Sequence, residues 1–195
     1  MKEEIEALER NETWAIIPKA QAKGHILSGK WVYKIKEDRK FKSRWVIRGF
    51  EQKLDIWESI RAAVVQATTT RILLSLAAQY GWKIRTADVK NAFLNAEHKG
   101  KPIYMQLPTG HGKSGFVCKL QKSLYGLKTA AILWYLELRK ALESLKFKAS
   151  QYDECLFIRD QIYLTAHVDD LAIYNDENDE VIKQLSNFFK LNLIN

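Results

Sequence analysis

Apolar positions recur along this chain with two different spacings, and the changes between them predict its elements. Ile5 and Leu8, set in a charged run, fit one face of a short helix. Residues 30–36 alternate Trp31, Tyr33 and Ile35 with lysines, the period of two expected of a half-buried strand. The polar break Glu37-Asp38-Arg39-Lys40 reads as a hairpin turn, and residues 41–48 return as the partner. A two-stranded ribbon then projects Lys34, Lys36, Lys42 and Arg44. Helical spacing follows over 68–80, with Ile72, Leu73, Leu76 and Ala77 on the core face, Thr68, Thr69 and Thr70 as caps and Gly81 as the stop. Residues 83–89 read as a strand ending in Asp88, 91–95 as a short helix, and 129–147 as a longer helix carrying Leu133, Leu136, Leu138, Leu142 and Leu145. Short β segments are expected at 156–159, 162–168 and 171–174, the last two flanking Asp169-Asp170. A closing amphipathic helix runs through Val181, Leu185 and Phe188. Strands and helices mix without strict βαβ alternation, which predicts an α+β fold with helices on one face of a sheet.

Composition narrows the class without changing that reading. A chain of 195 residues that is 47% hydrophobic and 28% charged can bury a core and is neither disordered nor collagen-like. It fits one domain or two closely packed subdomains. No apolar run is long enough to cross a bilayer, and the first ten residues are charged, so the expectation is an intracellular protein, cytoplasmic or nuclear, not secreted and not bound to membrane. Cys118 and Cys155 stand too far apart to suggest a disulfide framework and read as core residues, and the four histidines lack zinc-ligand spacing. Gly112-Lys113-Ser114 resembles the end of a P-loop, but position 107 is Leu where the first Gly is required.

Charge matters more for its placement than for its total of +8. Residues 30–53 carry nine basic side chains against three acidic ones, and residues 151–195 carry three basic against nine acidic. The first stretch suits a polyanion and the second suits cations. Asp is disfavoured inside strands, yet Asp169 and Asp170 interrupt an apolar hairpin at its expected tip. A bare Asp-Asp pair commonly makes a solvated turn. A third carboxylate, Asp88, at the end of its own strand and the basic ribbon upstream point instead to a divalent cation. Mg²⁺ takes one or two carboxylates and completes its shell with water and phosphate oxygens, and two such ions catalyse in-line phosphoryl transfer. A phosphorylated receiver domain also clusters carboxylates, but it needs repeated βα units that are not seen here.

At these residues the chain resembles a known family. DVKNAFLN (88–95) and VDD (168–170) are similar to the two metal-binding motifs of the Ty1/copia-type retrotransposon reverse transcriptase, the RNA-dependent DNA polymerase domain of a Pol polyprotein. KEEIEALERNETW, KWVYKIK, FKSRWVIRGFEQ, TTTRILLSLAAQYGW, AFLNAEHKGKPIYMQLP, VCKLQKSLYGLK and LWYLELRKAL follow in that family's order and spacing. The resemblance implies a polymerase right hand with fingers at about 1–80 and 98–124, palm at about 81–97 and 125–195, and no thumb. It implies that Asp88, Asp169 and Asp170, with Val89, hold two Mg²⁺ ions, with Mn²⁺ as an alternative. It also implies that Phe93 lies beneath the nucleotide sugar and excludes a 2′-hydroxyl. Lys42, Arg44 and Arg48 correspond to a basic fingers strand facing the triphosphate, and Gly126 and Lys128 to a segment that approaches template and nucleotide. The implied partners are an RNA or DNA template, a DNA primer, dNTPs and the remaining Pol segments.

Several positions depart from the family pattern. His167 stands in place of Tyr; Thr129, Ala131 and Ile132 in place of Gln, Pro and Arg; Ala63 and Gln66 in place of Pro and Arg. Two functions therefore remain open: an RNA-directed DNA polymerase domain, and a catalytically inactive retroelement remnant that binds nucleic acid through its basic ribbon.

Overall fold

The computed structural model describes residues 1–35, 39–53, 62–111, 113–176 and 178–194. Lys36, Glu37 and Asp38 of the expected ribbon and turn, and Gly112, lie outside the described residues. Among the described residues four helices, α1 (Lys2–Arg10), α2 (Ala67–Tyr80), α3 (Ala130–Ser144) and α4 (Asn178–Leu185), are joined by β1 (Trp14–Pro18), β2 (Ile26–Leu27), β3 (Gly29–Ile35), β4 (Phe41–Ile47), β5 (Ile84–Val89), β6 (Tyr104–Gln106), β7 (Phe116–Leu120), β8 (Lys148–Ala149), β9 (Leu156–Arg159), β10 (Ile162–His167), β11 (Asp170–Tyr174) and β12 (Leu191–Ile194). The mixed α+β class matches the sequence reading. Among the described residues no helix is long and apolar enough to cross a membrane.

The chain forms two compact units, one of residues 1–60 and 93–133, the other of residues 61–92 and 134–195. In the first, β1, β7, β6 and β2 make a four-stranded sheet in which β2 and β6 run parallel. Its core gathers Leu8, Trp14, Trp45, Met105, Cys118 and Leu124. Leu8 is the buried face of α1, whose last turn is closed by the Asn11 side-chain amide donating to the Ala7 carbonyl at 2.7 Å.

The expected ribbon is β3 paired antiparallel with β4. Cross-strand pairing sorts its side chains by face. Trp31, Tyr33 and Ile35 stand opposite Trp45, Ser43 and Phe41 on one side, and Lys30, Val32 and Lys34 opposite Val46, Arg44 and Lys42 on the other. Lys34, Lys42 and Arg44 therefore share a basic face. The other face is buried only near Trp45, because the core reaches no further, and Phe41 at its far end is 87% exposed.

In the second unit six antiparallel strands follow the order β12-β5-β11-β10-β9-β8. Ala87 and Val89 on β5, Leu171 and Ile173 on β11, and Leu164 and Ala166 on β10 share one fully buried face. On the opposite face Tyr174 is also buried, covered by Leu73 and Ala77 of α2. Where the expectation put helices on one face, α2 packs on the face opposite the fully buried one, but only at its Tyr174 end; toward Asp170 that face stays open.

Three local expectations are also corrected. No threonine caps α2. Its N-cap is Gln66, and the carboxylate of Asp153, distant in sequence, accepts from the Gln66 amide at 2.9 Å and the Thr69 hydroxyl at 2.6 Å. Ile72 and Leu136 face solvent because the packed stripes are Leu73 and Ala77 on α2 and Ala130, Trp134, Tyr135, Leu138, Ala141 and Leu142 on α3. The closing helix ends at Leu185, short of Phe188, and the chain turns back into β12, an edge strand too short to announce itself in the sequence. Gly81 does end α2, in the left-handed conformation at φ +70°. Both cysteines are buried, and burial pushes each thiol up to about 12.

Asp153 also accepts from the Cys155 amide at 3.0 Å, so a single carboxylate ties α2 to the start of β9. Replacing it by Ala should cost about 2–3 kcal/mol of unfolding free energy, the scale of lost hydrogen bonds to a charged group. Urea denaturation compared with the parent chain measures it.

Candidate functional site

Strand β5 carries an alternation in which Ala87 and Val89 are buried and Asp88 faces the other way, half-buried. Hairpin β10–β11 turns at Val168 and Asp169, and its pairing sets His167 opposite Asp170, which itself sits opposite Asp88 across the β5–β11 ladder. On the far side of β5, Asn192 of β12 faces Asp88. One rung therefore reads His167, Asp170, Asp88, Asn192 across four strands. Val89 donates its amide to the Asp169 carbonyl at 2.8 Å, holding the turn against the end of β5. The structure thus places Asp88 opposite Asp170 and the Val89 amide on the Asp169 carbonyl.

The turn is strained. Val168 sits at φ +58°, a left-handed conformation that a β-branched residue rarely adopts. It is restrained by the buried Trp134 of α3, whose indole N–H donates to the Val168 carbonyl at 2.7 Å and whose ring meets Phe189 edge-on at 5.1 Å between centroids. Trp134 falls inside a segment that the sequence reading used only for its leucines.

Electrostatics follow from the shared rung. Burial first, then the neighbouring carboxylates of Asp169 and Asp88, hold the Asp170 carboxyl above the usual aspartate range, and His167 opposes them. The Asn192 amide donates to Asp88 Oδ2 at 3.1 Å. Beside Asp170 an open recess of about 430 Å³ is lined by Thr86, Thr165, His167 and Tyr174. Among the described residues no three His, Cys, Asp or Glu side chains are grouped so that they could hold a metal ion. The fit to a divalent cation is one of donor chemistry: hard carboxylate oxygens on adjacent strands, with repulsion left unmet at Asp170.

The expected nucleotide contacts belong to the other unit and form their own group. Arg44 lies 4.8 Å over the ring of Tyr125, and Phe93 meets the same ring edge-on at 5.1 Å. Tyr125, which the sequence reading passed over beside Gly126, thus joins Arg44 to Phe93. Gly126 has φ +92°, and a Cβ there would strike the Ile47 carbonyl, so only glycine suits the close approach of the two backbones. Lys128 is engaged internally: its amide donates to Gln52 Oε1 and its ammonium to the Gln52 carbonyl, both at 2.8 Å. Arg48 is exposed, and Lys42 stands opposite Lys34 on the basic face. Of the departing positions, Gln66 serves the fold as the N-cap of α2, with Nε2 donating to the Tyr152 carbonyl at 2.9 Å. Thr129 is buried, and His167 faces Asp170.

The sequence model of the reverse transcriptase (RNA-dependent DNA polymerase) family matches residues 11–194. The chain is 36% identical, over 94% of its length, to the retrovirus-related Pol polyprotein from transposon TNT 1-94 of Nicotiana tabacum, and 34% identical, over 91%, to that from transposon RE1 of Arabidopsis thaliana. Identity to the transposon Ty1-NL2 Gag-Pol polyprotein of Saccharomyces cerevisiae is 27% over 87% of the chain. It spans 15%, 13% and 10% of the lengths of these relatives. Among solved structures, telomerase from Candida albicans, in complex with a fragment of telomeric RNA, covers the whole chain with a TM-score of 0.53 at 12% identity, over 46% of that protein. That likeness concerns the fold.

Two substitutions test the physical account of the site. Trp134→Phe keeps the ring and removes the donor, so stability to denaturant should fall by about 1–2 kcal/mol, the cost of a buried carbonyl left unpaired. Asp170 has a raised pKa, so the fold disfavours its charged form. The penalty is absent below the ordinary aspartate pKa and present at neutral pH. Asp170→Asn should therefore raise Tm at pH 7 by about 1–2 °C, allowing for the screening of an exposed group, and leave it unchanged at pH 3. Calorimetry without divalent ions checks both.

Proposed function

We propose, for a chain that belongs to the reverse transcriptase (RNA-dependent DNA polymerase) family and resembles its Ty1/copia-type Pol polyproteins, that it carries the nucleotidyl-transfer site of an RNA-directed DNA polymerase. The observation that carries this reading is the rung on which Asp170 and Asp88 face each other, with the Asp169 backbone held beside Val89. In this reading Asp88, Asp169 and Asp170, with Val89, hold two Mg²⁺ ions, or Mn²⁺ in their place. Such ions, when bound, activate a primer 3′-hydroxyl and offset the charge that builds on departing pyrophosphate. The hairpin keeps the carboxylates oriented, and Trp134 keeps the hairpin turned. Lys42, Arg44 and Arg48 supply positive charge to the triphosphate.

Phe93, braced by Tyr125, excludes a 2′-hydroxyl by volume, and Gly126 lets its segment, read as approaching template and nucleotide, pack closely on the Ile47 backbone. The Lys128 ammonium reaches a nucleotide only by releasing the Gln52 carbonyl. The unit of residues 1–60 and 93–133 is read as fingers and that of residues 61–92 and 134–195 as palm. This moves α2 from the fingers to the palm relative to the division read from the sequence, because its apolar stripe is buried on Tyr174. The partners are an RNA or DNA template, a DNA primer, dNTPs and the other segments of the Pol polyprotein. A second reading, nucleic-acid binding without catalysis, is favoured by the basic face of the β3–β4 ribbon, which needs none of the aspartates.

Mg²⁺-dependent extension of a DNA primer on an RNA template separates the two. Polymerisation by the parent chain that Asp88→Asn or Asp170→Asn abolishes is the expected result. Extension that survives either change rejects the metal assignment, and salt-sensitive binding without extension selects the second reading. With extension established, Phe93→Val should lower the preference for dNTP over rNTP by about tenfold or more, read as the ratio of kcat/KM values.

A further inference from the structure

The structure assigns Asn192 of β12 as a positioning residue for Asp88. This inference rests on the metal-site reading proposed above. Asn is poorly suited to strand interiors, yet it interrupts a strand whose other members are Leu191, Leu193 and Ile194. Its pairing partner on β5 is Asp88, and its side-chain amide donates to Asp88 Oδ2 at 3.1 Å.

The register that brings them together is tied on both sides. The Lys90 amide donates to the Lys190 carbonyl at 2.9 Å before the strand begins, and the Thr86 hydroxyl donates to the Ile194 carbonyl at 3.0 Å at its end. A slip of one residue would turn Asn192 to the other face and set an apolar side chain opposite Asp88.

The chemistry suits the place. An amide donor fixes the carboxylate rotamer, engages one oxygen and leaves the other for a ligand. Being neutral, it holds Asp88 without bringing a positive charge that would compete with a divalent ion. Partners of this kind, donating to a metal-binding carboxylate from outside the ligand set, change metal affinity or activity by about 10- to 100-fold when removed.

The test measures Mn²⁺ binding to the chain by electron paramagnetic resonance of the free ion, in parallel with the Mg²⁺ concentration giving half-maximal primer extension. Asn192→Leu should raise the Mn²⁺ dissociation constant by about tenfold or more and shift the Mg²⁺ requirement with it. Leu193→Thr, on the same strand but facing away, should leave both unchanged. Hydrogen exchange at the Lys90 amide reports whether β12 is still paired. If Asn192→Leu releases the strand, Asn192→Val, a strand former with no hydrogen-bond donor, replaces it with the same expectation. Parent-like Mn²⁺ affinity in a variant with β12 paired overturns the inference, even where Asp88→Asn weakens binding. Mn²⁺ binding that neither Asp88→Asn nor Asp170→Asn weakens overturns the metal-site reading and this inference with it.

Discussion

Two carboxylates face each other across one rung of the β5–β11 ladder, and the surrounding unit holds them there against their repulsion. Directly opposed like charges destabilise a strand pair. Here the pairing is enforced from the other face, where Ala87, Val89, Leu171 and Ile173 are buried, so the strands cannot slip without exposing them. The apolar face supplies the stability. In the proposed function the repulsion on the polar face becomes affinity for a cation.

The hairpin tip repeats that logic. A Val in a left-handed turn conformation and two adjacent aspartates would relax if the tip were free. Trp134 and Val89 each donate to a tip carbonyl, so the strained turn is held through its backbone while the carboxylates stay available. Asn192 extends the scheme to Asp88. The other unit is built differently: Arg44, Tyr125 and Phe93 are joined through ring contacts, and Gly126 permits close backbone approach where any side chain would clash.

Positions that depart from the family pattern are partly explained by this chain's own packing. Gln66 caps α2 and is held by Asp153 and Tyr152, a role that serves the fold. His167 stands opposite Asp170 and eases its burden of negative charge. For Ala131 and Ile132 the structure offers no particular reason.

Local sequence determined a good deal. Period-two alternation marked β3 and the polar turn after it marked β4, helical spacing marked α2 and α3, and Asp88, Asp169 and Asp170 stood out because Asp has no reason to interrupt apolar strands unless something compensates its charge. Tertiary structure decided the rest. That Asp170 faces Asp88, that Asp153 holds the start of a helix far away in sequence, and that Trp134 donates to Val168 and Asn192 to Asp88 are all matters of register and long-range hydrogen bonding. No local pattern encodes them. A two- or three-residue strand such as β2 or β6 has too few positions to show a period, and an Asn near the end of the chain acquires meaning only when the edge strand it sits on pairs with β5.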